Sequence, residues 1–373
     1  MNKKEIAEIK KQFTPKGCDI TRICGCYVDA EKEKRTQFKE AFFSVLEEEA
    51  FKYFDIFKKT MSGTIGKNLM TMEFPLNTEI QGGTHEFLMR LKKSQLKDDA
   101  LLEEFYDRVI EAFDYPENYL ILVIHGAYDV PGKASDNSEM FDASDEVYEY
   151  LLCSICPVKL SKPGLSYNVD DNIFQNRIRD WVVEKPQVGF LFPAFHDRST
   201  DLHSTLYYSA SPAELHTEFV DLMLGCKAPM PAASQKEAFQ ALVEDTLGAD
   251  CGYETVMTIH EKINELIEEQ KENPNPVTLD RADVKQVFFE SDVPMERLED
   301  FEDKYDELVG EDTILMATNV VNVKKFEVKT PDVVIQVNPE KAQLVETRMI
   351  DGRRCLVIAI DDNVEVNGVN VRS

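Results

Sequence analysis

The chain has no long apolar run. Its longest is Tyr119 to Ile124, short enough for a buried strand and far below the ~20 residues of a membrane-spanning helix. The opening Met-Asn-Lys-Lys-Glu-Ile has neither an apolar core nor a small-residue cleavage site, so it does not read as a secretory leader. The expected location is therefore the cytoplasm, with no membrane partner. The short catalytic and cofactor motifs are missing too: no G-x-G-x-x-G, H-E-x-x-H, G-x-S-x-G or EF-hand loop occurs. Gly63-Thr64-Ile65-Gly66-Lys67-Asn68 fails as a phosphate loop, which needs four residues between its glycines and Ser or Thr after the lysine. Missing motifs do not exclude an enzyme, because catalytic groups converge in space rather than in sequence.

Positive charge is also short. Against 69 Asp and Glu stand 42 Lys and Arg, a net of −27. The imbalance is local: Glu237 to Asp312 holds 23 acidic and six basic residues, a net of −17, whereas Thr313 to Ser373 has eight of each. Such a surface repels phosphate backbones and anionic membranes, so direct nucleic-acid contact is disfavoured. It suits a solvated helical face or a basic protein partner.

What is present is enough apolar residue, 43% of the chain, to build cores, and a length that favours two or three domains. The expected fold class is α+β. A mixed N-terminal α/β domain is expected over 1–210, an acidic helical segment over 211–312 and a small antiparallel β module over 313–373. Ile6, Ile9 and Phe13 recur at helical spacing and predict a docked amphipathic helix. Strands are predicted at Ile20–Val28, Lys39–Val45, Tyr119–Ala127, Val147–Val158, Val188–Phe192 and Leu202–Ser209. Helices are predicted at Glu47–Lys59, His85–Lys92 and Leu101–Phe113, and Pro131–Asp145 reads as a polar loop or flap.

In the helical segment Ser211-Pro212-Ala213-Glu214 and Ser234-Gln235-Lys236-Glu237 have capping-box spacing, with stops at Gly225 and Gly248. A third stripe, Val256, Ile259, Ile263 and Leu266, ends before Asn273-Pro274-Asn275-Pro276. Ala282–Phe289 and Met295–Leu308 read as a helical hairpin, too acidic for a recognition helix in a DNA groove. Asp351-Gly352 and Asn367-Gly368 are turn pairs for tight hairpins in the C-terminal module.

Two constellations carry chemistry. Cys24, Cys26, Cys153 and Cys156 would supply four thiolates to a zinc, the one cofactor these residues leave open. Both pairs lie in apolar, strand-like runs, where core burial is the favoured reading. His196 and Asp197, with His203 nearby, would serve acid–base chemistry or hold an anion, against the favoured reading of a loop ion-pair network. His125 is expected to be a hydrogen-bonded strand-end histidine.

The segments MNKKEIAEIKKQFT, TRICGCYVD, SGTIGKN, YLLCSICPVKLSKPGLSY and IDGRRCLVIAI resemble an uncharacterised family of clostridial and related Gram-positive bacterial proteins, catalogued only as a domain of unknown function. The resemblance runs over nearly the whole chain and implies no activity. More weakly, FVDLMLGCKAPMPAASQKEAFQALVEDTL and IQVNPEKAQLVETRMIDGRRCLVIAI are similar to the bacterial nucleoid-associated protein family, which would imply an accessory role in DNA metabolism. The functional expectation is a non-enzymatic binding or adaptor protein with a protein partner, basic in character. The alternatives are a nucleoid-associated protein and a metal-dependent enzyme using the Cys or His/Asp cluster.

Overall fold

Apolar runs without alternation suit strands that are covered on both faces, and Tyr119–Ile124 lies in such a strand. The computed structural model describes residues 1–133, 139–248, 251–360, 364–366 and 369–371. Contacts divide the chain into two compact units, 1–231 and 232–373.

The first unit runs α1 (Lys3–Lys10), β1 (Ile20–Val28), β2 (Lys34–Ala41), α2 (Glu47–Thr60), β3 (Leu69–Glu73), α3 (Thr84–Lys93), α4 (Asp99–Ala112), β4 (Tyr119–Lys133) and β5 (Glu139–Leu160). There follow β6 (Leu165–Asn168), β7 (Ile173–Asn176), β8 (Trp181–Val183), β9 (Val188–Phe192), β10 (Ala194–His196), β11 (Ser199–Asp201) and β12 (Ser204–Ser209). A short α5 (Thr217–Phe219) continues as a π-turn over Val220–Leu224. The main sheet has the order β2-β1-β4-β5-β9-β12-β3, every pair antiparallel, with β8 added at the end of β5.

Alternate residues of each central strand serve different cores. Cys24, Ile121 and Cys153 pack with Phe87 of α3, Phe105 of α4 and Phe219 of α5. Leu122, Ile124 and Leu152 pack on the other face with Ile9 of α1 and Phe57 of α2. The sheet is thus a middle layer between helices, which is why its inner strands are apolar throughout.

The second unit holds α6 (Ala232–Leu247), α7 (Tyr253–Glu269), β13 (Thr278–Leu279), α8 (Arg281–Glu290), α9 (Phe301–Leu308), β14 (Leu315–Met316) and α10 (Ala317–Val320). Phe239, Ile263, Phe288, Phe301 and Tyr305 share its core. Three separate antiparallel pairs follow: β15 (Phe326–Lys329) with β16 (Val334–Val337), β17 (Val345–Ile350) with β18 (Arg353–Ile358), and β19 (Val364–Val366) with β20 (Val369–Val371). Asp351 and Gly352 both have positive φ, 50° and 75°, as a tight hairpin turn requires. Asn367-Gly368 lies outside the described residues.

Several boundaries differ from expectation, each for a local reason. The strand expected at Lys39–Val45 is β2, displaced toward the N-terminus; Phe42 leaves it in a 3₁₀ turn to pack on Phe54, ring centroids 5.4 Å apart. The flap expected at Pro131–Asp145 is largely strand, since β4 and β5 pair on to Lys133 and Glu139; residues 134–138 lie outside the described ones. Ser211–Glu214 caps no helix. Ser209 Oγ donates to the Ser211 and Glu214 carbonyls, at 2.9 and 2.7 Å, and holds the segment as a turn; α5 starts only after His216 at φ 46°. Ser234–Glu237 lies inside α6, where the buried Gln235 accepts the Met316 N–H at 2.9 Å. Met295–Leu308 is broken into a 3₁₀ turn, Met295–Arg297, and α9.

Candidate functional site

The four cysteines are strand residues. Cys24 and Cys153 both sit opposite Val123, in register across three strands, so about 9.5 Å of sheet separates their backbones. Cys156 points to the opposite face of β5 from Cys153, three residues earlier. A tetrahedral zinc needs sulfurs about 4 Å apart, so the four thiols do not form one ligand set. Burial pushes the Cys24, Cys26 and Cys156 thiols up to about 12 and raises Cys153 as well. Thiols held protonated are poor nucleophiles and poor ligands.

His196 and Asp197 are brought together, with a partner the sequence reading missed. Asp197 and Arg198, both at positive φ (47° and 59°), make the two-residue turn between β10 and β11. The Asp197 N–H donates to Glu5 Oε1 at 2.9 Å. His196 Nδ1 lies 3.5 Å from the same oxygen, and its Nε2 lies 3.7 Å from Asp197 Oδ2. Glu5 is buried because it closes a capping box: its Oε2 accepts the Asn2 N–H at 2.7 Å while Asn2 Oδ1 accepts from Lys4 and Glu5. Asn2-x-x-Glu5 was the available signal. One turn on, Glu8 Oε1 accepts from Arg198 Nη1 at 2.8 Å and from the Tyr128 hydroxyl at 3.0 Å. His203 is not part of this group; its Nδ1 lies 2.7 Å from Glu79 Oε1.

Ligand atoms of Glu5, His196 and Asp197 lie within 4.8 Å of one another, the only such trio among the described residues. They fit a metal poorly. The imidazole turns different nitrogens to the two carboxylates, and both oxygens of Glu5 already accept backbone N–H groups. The chemistry that this arrangement performs is docking: two glutamates on α1 clamp the β10–β11 hairpin while Ile6 and Ile9 enter the core.

Two buried polar groups stand apart. Burial raises Asp19 to about 7; Tyr150 donates to its Oδ1 at 2.9 Å, and its buried Oδ2 has no hydrogen-bond partner. His125 lies within β4 rather than at its end, fully buried, with Nδ1 2.7 Å from Thr21 Oγ1. Burial pushes it down to about 4, so it is neutral.

The second unit contributes a concave site. A cleft of about 360 Å³ opens between α7 and the 3₁₀ segment Pro339–Leu344. Glu261, Glu265 and Glu268 line it from α7 and Glu340 from the opposite wall, and Ile267 and Val323 add apolar lining. Helical spacing explains the wall: residues four and seven apart share one face. Burial, and then the neighbouring charge of Glu265, raise the Glu261 carboxyl above its ordinary range. Asn264 also lines the cleft, and its buried Oδ1 has no hydrogen-bond partner.

Sheet, helices and sites together define an α+β protein in which Cys24, Cys26, Cys153 and Cys156 are buried in strands and the His196–Asp197 turn is docked against Glu5. The chain belongs to the family described as Domain of unknown function (DUF4317), whose model matches residues 1–369; this is the family class to which the resemblance pointed. No curated protein and no solved structure matches the chain. No helix among the described residues is long and apolar enough to cross a membrane.

Proposed function

We propose that this chain is a cytoplasmic, non-enzymatic binding protein that holds a basic segment of a protein partner in the cleft beside α7. The observation that carries the reading is a cleft lined by both acidic and apolar side chains. Glu261, Glu265, Glu268 and Glu340 offer charge, while Ile267 and Val323 offer a surface for an aliphatic stem. Lysine and arginine are built this way, with a methylene chain below a cationic head. Glu265 and Glu268 are paired on the surface with Lys262 and Lys271, at 3.0 and 2.9 Å, and exposed pairs of this kind exchange readily. Support for the non-enzymatic part comes from side chains already engaged: thiols held protonated by burial, and the buried Glu5, whose two oxygens each accept a backbone N–H.

Fluorescence anisotropy of a labelled lysine–leucine peptide tests the reading. Binding at low salt, weakened in high salt and lost in the Glu261→Gln/Glu265→Gln/Glu340→Gln variant, is expected. No binding at low salt, or equal binding by the variant, overturns it. Retention of duplex DNA in place of the peptide would favour the nucleic-acid alternative.

A further inference from the structure

Beyond its pairing with β9, the long strand β5 runs on into a stretch, 161–183, that forms a small arm. β6 and β7 make a two-stranded hairpin of their own, with Leu165 opposite Asn176 and Tyr167 opposite Phe174. The chain then returns through β8, which pairs with Val158–Leu160 at the end of β5. Alternation puts Leu165, Tyr167 and Phe174 on one face of the hairpin, the two rings 5.4 Å apart. Leu165, Tyr167, Val169, Phe174, Ile178 and Trp181 are all 50–78% exposed. An isolated hairpin is marginal in water, and an open apolar patch of this size marks an interaction surface. Leu165, Tyr167 and Phe174 alone leave about 400 Å² uncovered on one face, already the size of patch that marks an interaction surface, and the other three exposed apolar side chains of the arm add to it.

Charge selects the occupant. Within a chain of net −27 this stretch is neutral, with Lys162, Arg177 and Arg179 against Asp170, Asp171 and Asp180. The charges are also sorted along the hairpin. Asp170 and Asp171 sit at the tip, where Asn168 Oδ1 accepts both of their N–H groups at 2.9 and 3.3 Å. Lys162 and Arg177 sit at the base, where the Arg177 N–H donates to the Gly164 carbonyl at 2.8 Å. We propose that the arm docks on the same arm of a second copy of this chain. Laid antiparallel about a two-fold axis, each acidic tip meets the other basic base while the apolar faces close together. Two chains of −27 repel over most of their surface, and the neutral arm is where that repulsion is least. This inference does not rest on the α7 cleft.

Sedimentation equilibrium of the full chain from about 1 to 100 µM tests it. The native protein is expected to reach twice the chain mass, and Leu165→Ser/Tyr167→Ser/Phe174→Ser to stay monomeric with an unchanged circular dichroism spectrum. Asp170→Lys/Asp171→Lys alone, and Lys162→Glu/Arg177→Glu alone, are each expected to dimerise about tenfold more weakly. Their equimolar mixture restores native affinity, because each reversed tip then faces a reversed base. Trp181, the only tryptophan, reports burial directly: native emission should lie to the blue of the triple serine variant. A native monomer throughout the range overturns the proposal. So does a mixture that binds no tighter than its components, or a monomer whose Trp181 emission shifts only on lipid vesicles.

Discussion

At the scale of single residues, the sharpest consequence comes from Asp19. Its carboxyl is raised to about 7 by burial, with one oxygen served by Tyr150 and the other unserved. Below about pH 4 the group is protonated in both folded and unfolded chains, and its contribution is fully present. Between about 4 and 7 the unfolded carboxyl has released its proton and the folded one has not, so stability falls as pH rises through that window. His125 acts oppositely: pushed down to about 4, it makes stability rise with pH up to its unfolded value of about 6.5. The two trends mask one another in the native protein and separate in a variant. Asp19→Asn should gain on the native chain by on the order of 2–3 kcal/mol between pH 5 and pH 8, read by urea unfolding at each pH. A difference that does not change with pH would mean that Asp19 ionises normally in the fold.

At the scale of elements, α2 meets the sheet where Gly189 of β9 leaves room for it. A Cβ there would lie 2.4 Å from Thr60 Cγ2 and 2.5 Å from the Cys153 carbonyl oxygen, and the latter is backbone in a central strand. The same contact carries a hydrogen bond, Thr60 Oγ1 to Ser154 Oγ at 2.6 Å, with both residues buried. Gly189→Ala should therefore cost about 2–3 kcal/mol and be visible as a lower thermal midpoint. Gly164→Ala, with nothing within 4 Å, should be neutral and serves as the control. The apolar strands of this layer were the most legible parts of the sequence. Ile20–Val28 and Val188–Phe192 match their predicted limits: the second is buried at every residue and reads as an unbroken apolar run, and the first is carried by its buried stretch Ile23–Cys26 despite the polar Thr21 and Arg22. β2 was misplaced because it is an edge strand, polar along KRTQFKEA, and carries no such signal. Exposed apolar residues of the arm alternate just as buried ones do, so periodicity could not separate the two. The cleft was half legible: Glu261, Glu265 and Glu268 share a helical face, but its other wall comes from residues 338–343, brought in by the fold.

At the scale of the whole molecule, charge and core divide in the same place. The sheet and its two flanking cores belong to residues 1–231, and the third core to 232–373. The first unit carries 38 acidic and 27 basic side chains, the second 31 and 15, although the second is much the shorter. Two salt effects compete in the second unit. Screening weakens its surface pairs, such as Arg281–Asp306 at 2.8 Å and Lys285–Glu302 at 3.1 Å, each worth up to about 1 kcal/mol. Screening also relieves repulsion among the remaining carboxylates, which outnumber the available cations two to one. The second effect is summed over many longer distances, all beyond the Debye length once it falls from about 30 Å at 0.01 M to about 3 Å at 1 M. Repulsion should therefore win, and added salt should stabilise the helical unit. Scanning calorimetry in low and high sodium chloride is expected to show its transition rising by several degrees, with the transition marked by Trp181 emission moving less. A helical unit whose midpoint falls with salt would show that its ion pairs, few as they are, outweigh the repulsion.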